Sequence, residues 1–171
     1  MTTSPRSLLH AARLAALLVA SVLPLLFVSC SDDDNPVTPP YEFATLEQQT
    51  FAKVNTYRVS IGKAALVWSD VVLVQARQHS TNMAAKTVAF GHDGFSDRAA
   101  VIGKTVPWSN AGENVAMMSG QTDPATVAVE AWLKSPGHKA NIEGDYNRTA
   151  MGIAKAADGS LYFTQIFIKA K

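Results

Sequence analysis

One cysteine in 171 residues, Cys30, is the tightest constraint on what this chain can fold into. A lone thiol closes no intrachain disulfide, so any exported domain here has to be held by a packed apolar core alone. The length suffices for one such core and is short for two.

The cysteine ends an uncharged apolar run, LAALLVASVLPLLFVS (residues 14–29), which follows Arg6 and Arg13. A basic stretch and then an apolar one of this length is the layout of a secretory leader. Pro24 interrupts the run, which also falls short of the ~20 apolar residues a membrane span needs. FVSC resembles a bacterial lipobox, with Phe27 where leucine is usual. Residues 1–29 then read as a lipoprotein signal peptide and Cys30 as the lipidation site, a membrane anchor. Each buried methylene of an acyl chain contributes about 0.8 kcal/mol, so two or three chains hold stably. The other reading is an ordinary leader cut nearby, with Cys30 incidental.

Next comes SDDDNPVTPPYE, Ser31 to Glu42, three aspartates and three prolines that cannot bury a core. Residues 30–42 are expected to form an acylated cysteine with an extended tether. The acidic cluster also resembles the surface-export signal of Bacteroidota-type lipoproteins, although a plain solvated linker would look the same. A cell-envelope location, at the outer membrane or exposed on the surface, is expected. The remaining domain, 43–171, carries thirteen basic and ten acidic residues with no basic run, a pattern that argues against a nucleic-acid partner.

Within the domain, Leu46, Phe51, Val54 and Tyr57 are spaced for one helix face between Phe43 and Ile61. ALVW (residues 65–68) reads as a short apolar link. Ser69 is expected to cap a second helix reaching about Lys86, with Val72, Ala76, His79 and Met83 on its stripe. His79 reads as a core-edge histidine with a local hydrogen bond. Residues 87–120 are rich in glycine and polar turns, with a short helix expected from Ser96, as cap, to Ile102. Asp123 and Pro124 open a third main helix to about Ser135, with Val127, Ala128, Ala131, Trp132 and Ser135 along one side. TAMGIAKA and LYFTQIFIKA flank ADGS, a strong hairpin signal. Helices first and antiparallel strands last point to α and β elements packed in layers.

The chemistry collects in a few turns. AWLKSPGHKANI (residues 131–142) places His138 on a turn just past a helix that Pro136 and Gly137 are expected to stop. His92 lies in AFGHDGFSDR and Glu113 in AGENVA. Two histidines and one carboxylate from three separate loops would, if convergent, suffice for Zn2+ or another divalent cation, with a position left for water. A metal-free histidine–carboxylate pair that polarises water or orients a ligand is the alternative. A third reading makes Gly112-Glu113-Asn114 a turn whose carboxylate satisfies backbone amides.

The segments VNTYRVSIGKAALVWSDVVLVQARQHSTNMA, FGHDGFSDR, AGENVA and AVEAWLKSPGHKANI, in this order and spacing, resemble the bacterial SCP-type branch of the CAP superfamily. That superfamily groups cysteine-rich secretory, antigen-5 and pathogenesis-related proteins. The resemblance runs from about Leu46 to Phe167. It implies an α/β fold, an α-β-α sandwich with an antiparallel sheet between helical layers, and a cleft floored by two histidines and two glutamates. His92, Glu113 and His138 fall on three of those positions as candidate catalytic or metal residues. The fourth, three residues after Trp132, is Ser135 here, which puts any two-carboxylate mechanism in doubt. Glu130 lies five residues before Ser135, about 140° away around a helix, and is read as solvated. Asn114 and Asn141 either orient the histidines and backbone or simply form turns. Trp68 and Trp132 read as core anchors and Trp108 as a loop residue able to rim the cleft; Met117 and Met118 read as packed.

The leading expectation is an envelope-anchored domain that binds a protein, lipid or glycan through this cleft, with or without a divalent cation. One alternative is a metal- or His/Glu-dependent hydrolase, such as an endopeptidase, with Glu113 as base; a Ser135–His138 pair is a further variant. The other alternative is a scaffold or adhesin whose cleft is vestigial.

Overall fold

The computed structural model describes residues 41–171. The leader, Cys30 and the tether up to residue 40 lie outside the described residues. Tyr41 already belongs to the domain: its hydroxyl bonds the Ile153 carbonyl, and its ring lies under the Arg77 guanidinium at 3.9 Å.

Five helices and four strands follow in the order α1 (Ala44–Ser60), β1 (Val67–Trp68), α2 (Asp70–Ala84), α3 (Phe95–Gly103), β2 (Trp108–Met118), α4 (Pro124–Lys134), α5 (Pro136–Ile142), β3 (Arg148–Lys155) and β4 (Leu161–Ala170). The expected hairpin forms, with β3 and β4 antiparallel around the ADGS turn. The sheet order is β1-β3-β4-β2. It departs from an all-antiparallel sheet at one end, where Val67 and Trp68 pair in parallel with Arg148 and Thr149. The apolar link read at 65–68 is thus a short edge strand.

Helices cover both faces, as the sandwich expectation requires. Phe163 and Phe167 of β4, with Met151 and Ile153 of β3, pack against Val54 of α1, Trp132 of α4 and Ile142 of α5. The neighbouring residues of the pleat, Ala150, Ile166 and Ile168, turn the other way onto Val72 and Ala76 of α2 and Ile102 of α3. Residues 162–168 of β4 are therefore buried without interruption, as a strand sandwiched on both faces must be.

Local sequence explains some helix ends; Ser69 precedes α2 as expected, but its side chain makes no capping hydrogen bond. Asp123 accepts the Thr126 backbone N–H at 3.1 Å and Pro124 takes the first turn of α4. The stripe on α2 is buried as expected. One start and one buried face differ from the sequence reading. The residue before α3 is Gly94, not Ser96, and the buried face of α4 is Ala125, Ala128, Val129 and Trp132, which leaves Ala131 exposed. Glu130 is on the solvated side, near Lys134.

Gly152 sets the distance between α2 and the sheet. A Cβ there would fall 2.1 Å from the backbone nitrogen of Arg77 and 2.2 Å from the carbonyl carbon of Ala76. The Ser80 hydroxyl uses this closeness to donate to the Gly152 carbonyl at 2.8 Å. Gly152→Ala must push a whole helix off the sheet, since backbone cannot rotate aside as a side chain can. It is expected to cost about 3 kcal/mol or more, the upper end for overpacking. A denaturation midpoint equal to that of the wild type would contradict this packing.

Candidate functional site

β2 is the far edge strand of the sheet, and the site is built astride it. Glu113 projects from β2 on the α2–α3 side, flanked two residues away by Ala111 and Val115, which pack on that side. Its side chain is 1% exposed. A carboxylate so far from water needs a cation and a full set of donors. Arg98 of α3 supplies both. Its Nε donates to Oε2 at 3.0 Å, and its Nη2 reaches Oε1 at 2.9 Å and Oε2 at 2.8 Å. Nη1 of the same guanidinium donates to the Asp93 carbonyl at 2.9 Å, which ties down the loop that carries His92.

His92 closes the set, with Nδ1 3.0 Å from Glu113 Oε1. A carboxylate flanked by a guanidinium is an acceptor, so Nδ1 carries a proton and donates to it. The His92 side chain is 49% exposed. The loop is pinned a second time by buried His79, whose Nε2 bonds the Gly91 carbonyl at 2.8 Å. His79 is a core-edge residue, as read from the sequence, but its partner lies twelve positions away rather than nearby. It holds the residue next to His92. Burial pushes its pKa down, against a smaller upward pull from the Gly91 carbonyl.

His138 arrives from the opposite side of the strand. It does not sit on a turn past a helix end. Pro136, which ends α4, is also the first residue of α5, where proline is favoured, so His138 is helical. Its ring centre is 6.2 Å from that of His92, the planes 52° apart. Burial, and then the nearby His92, lower its pKa below the ordinary histidine value.

Two asparagines weld α5 to β2. Asn114 is buried in the strand and its Nδ2 donates to the His138 carbonyl at 3.1 Å. Asn141 of α5 donates to the Glu113 carbonyl at 3.0 Å and to Asn114 Oδ1 at 2.9 Å. Neither is a turn former. Gly112 makes room for this contact: a Cβ there would meet Tyr146 Oη at 2.6 Å and Asn141 Oδ1 at 2.9 Å. Buried Arg58 fixes the other end of α5, donating to the carbonyls of Ile142 at 2.6 Å and Gly144 at 3.1 Å.

The structure thus brings His92, Glu113 and His138 together, but from a loop, a strand and a helix, not three loops. Gly112-Glu113-Asn114 is strand, so the turn reading of Glu113 falls. Ser135 links α4 and α5, and among the described residues no hydrogen bond joins its hydroxyl to His138. Trp108 starts β2 and donates from Nε1 to the Ala99 carbonyl at 2.9 Å, packed beside α3 rather than rimming the cleft. Trp132 is a core residue, whereas Trp68 is partly buried and packs against the core; Met118 packs, while Met117 is half exposed. Arg98 was not weighed from the sequence, although it ends the very motif, FGHDGFSDR, that contains His92.

The fit of a divalent cation turns on Glu113. An ionised carboxyl offers about four lone-pair positions, and the three guanidinium bonds with His92 Nδ1 use four. No group of three or more His, Cys, Asp or Glu among the described residues is arranged to hold a metal ion. A three-ligand centre of His92, Glu113 and His138 does not fit this arrangement while Arg98 is in place.

Residues 51–167 match the model of the CAP family, described as the cysteine-rich secretory protein family. Solved structures give the same picture. An outer surface protein from Borrelia burgdorferi aligns with TM-score 0.63 at 18% identity, over 77% of this chain and 97% of that one. An extracellular SCP-domain protein from Bacillus anthracis gives 0.58 at 28% identity, over 72% of this chain but only 40% of its own length. A cysteine-rich secretory protein from Staphylococcus aureus gives 0.55 at 18% identity, over 73% and 38%. No curated protein matches the chain.

The depressed pKa of His79 makes stability depend on pH in a defined sense. As pH falls, the unfolded chain protonates this group first, near its ordinary 6.5, while the folded chain resists. Stability is therefore full above that value and declines below it. His138 acts in the same direction. His79→Gln, which keeps a donor for the Gly91 carbonyl, is expected to flatten the fall in unfolding free energy between about pH 7 and pH 5 without abolishing it. Parallel curves for wild type and variant would contradict the assignment.

Proposed function

Since the chain belongs to the cysteine-rich secretory protein (CAP) family, we propose that it is a cell-envelope binding module: anchored through acylated Cys30, extended on the tether, and taking its ligand between His92 and His138. The observation that carries this reading is the engagement of Glu113. A general base needs a free lone pair within reach of the proton it removes, and both oxygens of Glu113 already serve Arg98 and His92. The thiol at Cys30 belongs to the anchor, and the Ser135 hydroxyl has no bond to His138 to activate it. Hydrolysis is correspondingly less well supported than binding.

The cleft has the means to bind. His92 offers Nε2 to a ligand, its ring oriented by the bond Nδ1 makes to Glu113. His138, with a pKa below the ordinary value, presents a neutral imidazole at neutral pH, one donor and one acceptor. A hydroxyl or amide of a protein, lipid or glycan ligand placed between the rings could bond both. That the Borrelia protein is an outer surface protein and the Bacillus protein extracellular supports an envelope or external location here.

The test compares the full chain with its His92→Ala/His138→Ala variant, immobilised at equal density and exposed to lipid, glycan and protein fractions of a cell envelope. At least one component should be retained about tenfold better by the wild type, the factor for ~1.4 kcal/mol of lost hydrogen bonding. Equal retention by both contradicts a binding role for the cleft. Cleavage of a component by the wild type alone would favour hydrolysis. In cells, Cys30→Ala is expected to release the chain from the membrane fraction; continued sedimentation with membranes contradicts the anchor.

A further inference from the structure

We infer that Arg98 is the built-in cation of this cleft, a specificity-determining residue that fills the electrostatic place of a divalent ion and keeps one from binding through Glu113. Three features of the site carry the inference together. Glu113 is 1% exposed and has to be neutralised where it stands. The guanidinium is itself only 12% exposed and makes three bonds to the two carboxylate oxygens, a planar fork that lysine cannot reproduce. The same guanidinium holds the Asp93 carbonyl, so it is fixed to the loop as well as to the strand and does not swing away freely.

The consequence for metal selectivity is direct. A divalent ion seeking the carboxylate would meet a fixed positive charge on both oxygens and, at Oε1, the protonated Nδ1 of His92. With Arg98 present, the cleft offers such an ion only the imidazoles of His92 and His138, two ligands where catalytic zinc commonly takes three. Without it, Glu113 would be a buried carboxylate lacking its cation and bonded to His92, whose ring centre lies 6.2 Å from that of His138. Arg98 thus decides between a metal site and a metal-free binding site. The assignment builds on the cleft as the ligand site proposed above, yet it is tested without any ligand, so either can fail alone.

The experiment titrates the full chain, stripped of metal, with zinc and with cobalt(II), and follows thermal unfolding and the visible absorption of bound cobalt. Arg98→Gln, Glu113→Gln and the double variant are run alongside. For the wild type, zinc affinity should be weak and the same in Glu113→Gln, because the carboxylate takes no part. Arg98→Gln should melt lower without metal, recover with zinc, and bind at least about tenfold more tightly than the wild type, the scale on which residues around a metal site act. Its cobalt spectrum should be lost in the double variant. If Arg98→Gln fails to fold without metal, zinc should restore folding. The inference is overturned if the wild type binds one equivalent of zinc with an affinity that Glu113→Gln reduces. It is also overturned if Arg98→Gln gains neither stability nor a cobalt band from metal.

Discussion

The outer edge of β2 has to be closed, and the way it is closed places nearly everything else at the site. An edge strand turns alternate carbonyls and amides away from the sheet. Two of these carbonyls, on Glu113 and Val115, are met by side chains: Asn141 Nδ2 at 3.0 Å and Trp132 Nε1 at 3.0 Å. A buried carbonyl left without a donor costs about 1–3 kcal/mol. These bonds therefore bring α4 and α5 to the edge in one register, and His138 comes with them. The opposite edge is handled in the same manner. β1 pairs with β3 only at Arg148 and Thr149, and beyond it Glu47 accepts the Ile153 N–H while Tyr41 bonds the Ile153 carbonyl. A sheet of four strands is finished on both sides by side chains, without a disulfide.

The second constraint is electrostatic and sits on the same strand. Pleating turns Asn114 toward α5 and Glu113 toward α3, so one strand serves both walls of the cleft. The carboxylate lands where only a cation can stabilise it, and α3 delivers Arg98 to that spot. Once Arg98 holds Glu113, Glu113 holds His92, and the ring of His92 is set opposite His138. The exposed ring of His92 and the partly buried ring of His138 are thus supported by a buried chain of polar contacts, which suits a rigid binding surface. It does not suit a carboxylate that must take up and release protons. Arg58 and His79 serve the same end from further away, one fixing α5 and the other the loop before α3.

Much of the fold was legible in the sequence because local rules and tertiary packing agree there. The stripe of Val72, Ala76, His79 and Met83, the Asp123-Pro124 cap and the Asp-Gly hairpin each form where they are expected. β2 was not legible. Gly112, Glu113 and Asn114 carry turn propensity, and they are strand only because β4 pairs with them along its length and α5 needs Gly112 for close approach. Pro136 misled in a similar way, since a proline that ends one helix can begin another. Of the site, the three principal residues stood out in glycine-bearing turns, and a family resemblance gave them their weight. Arg98 did not, because an arginine in a polar motif reads as solvated until the carboxylate beside it is seen to be buried.

The central claim is that side-chain closure of the β2 edge holds α5, and with it His138, against the strand. Amide hydrogen exchange of Asn141→Leu, which keeps the volume and removes both donor bonds, tests it most directly. Protection across 137–142 should fall at least about tenfold, as local opening of that helix becomes easier, while the β3–β4 amides keep theirs. Unchanged protection in α5, or loss spread evenly over the whole domain, would contradict it.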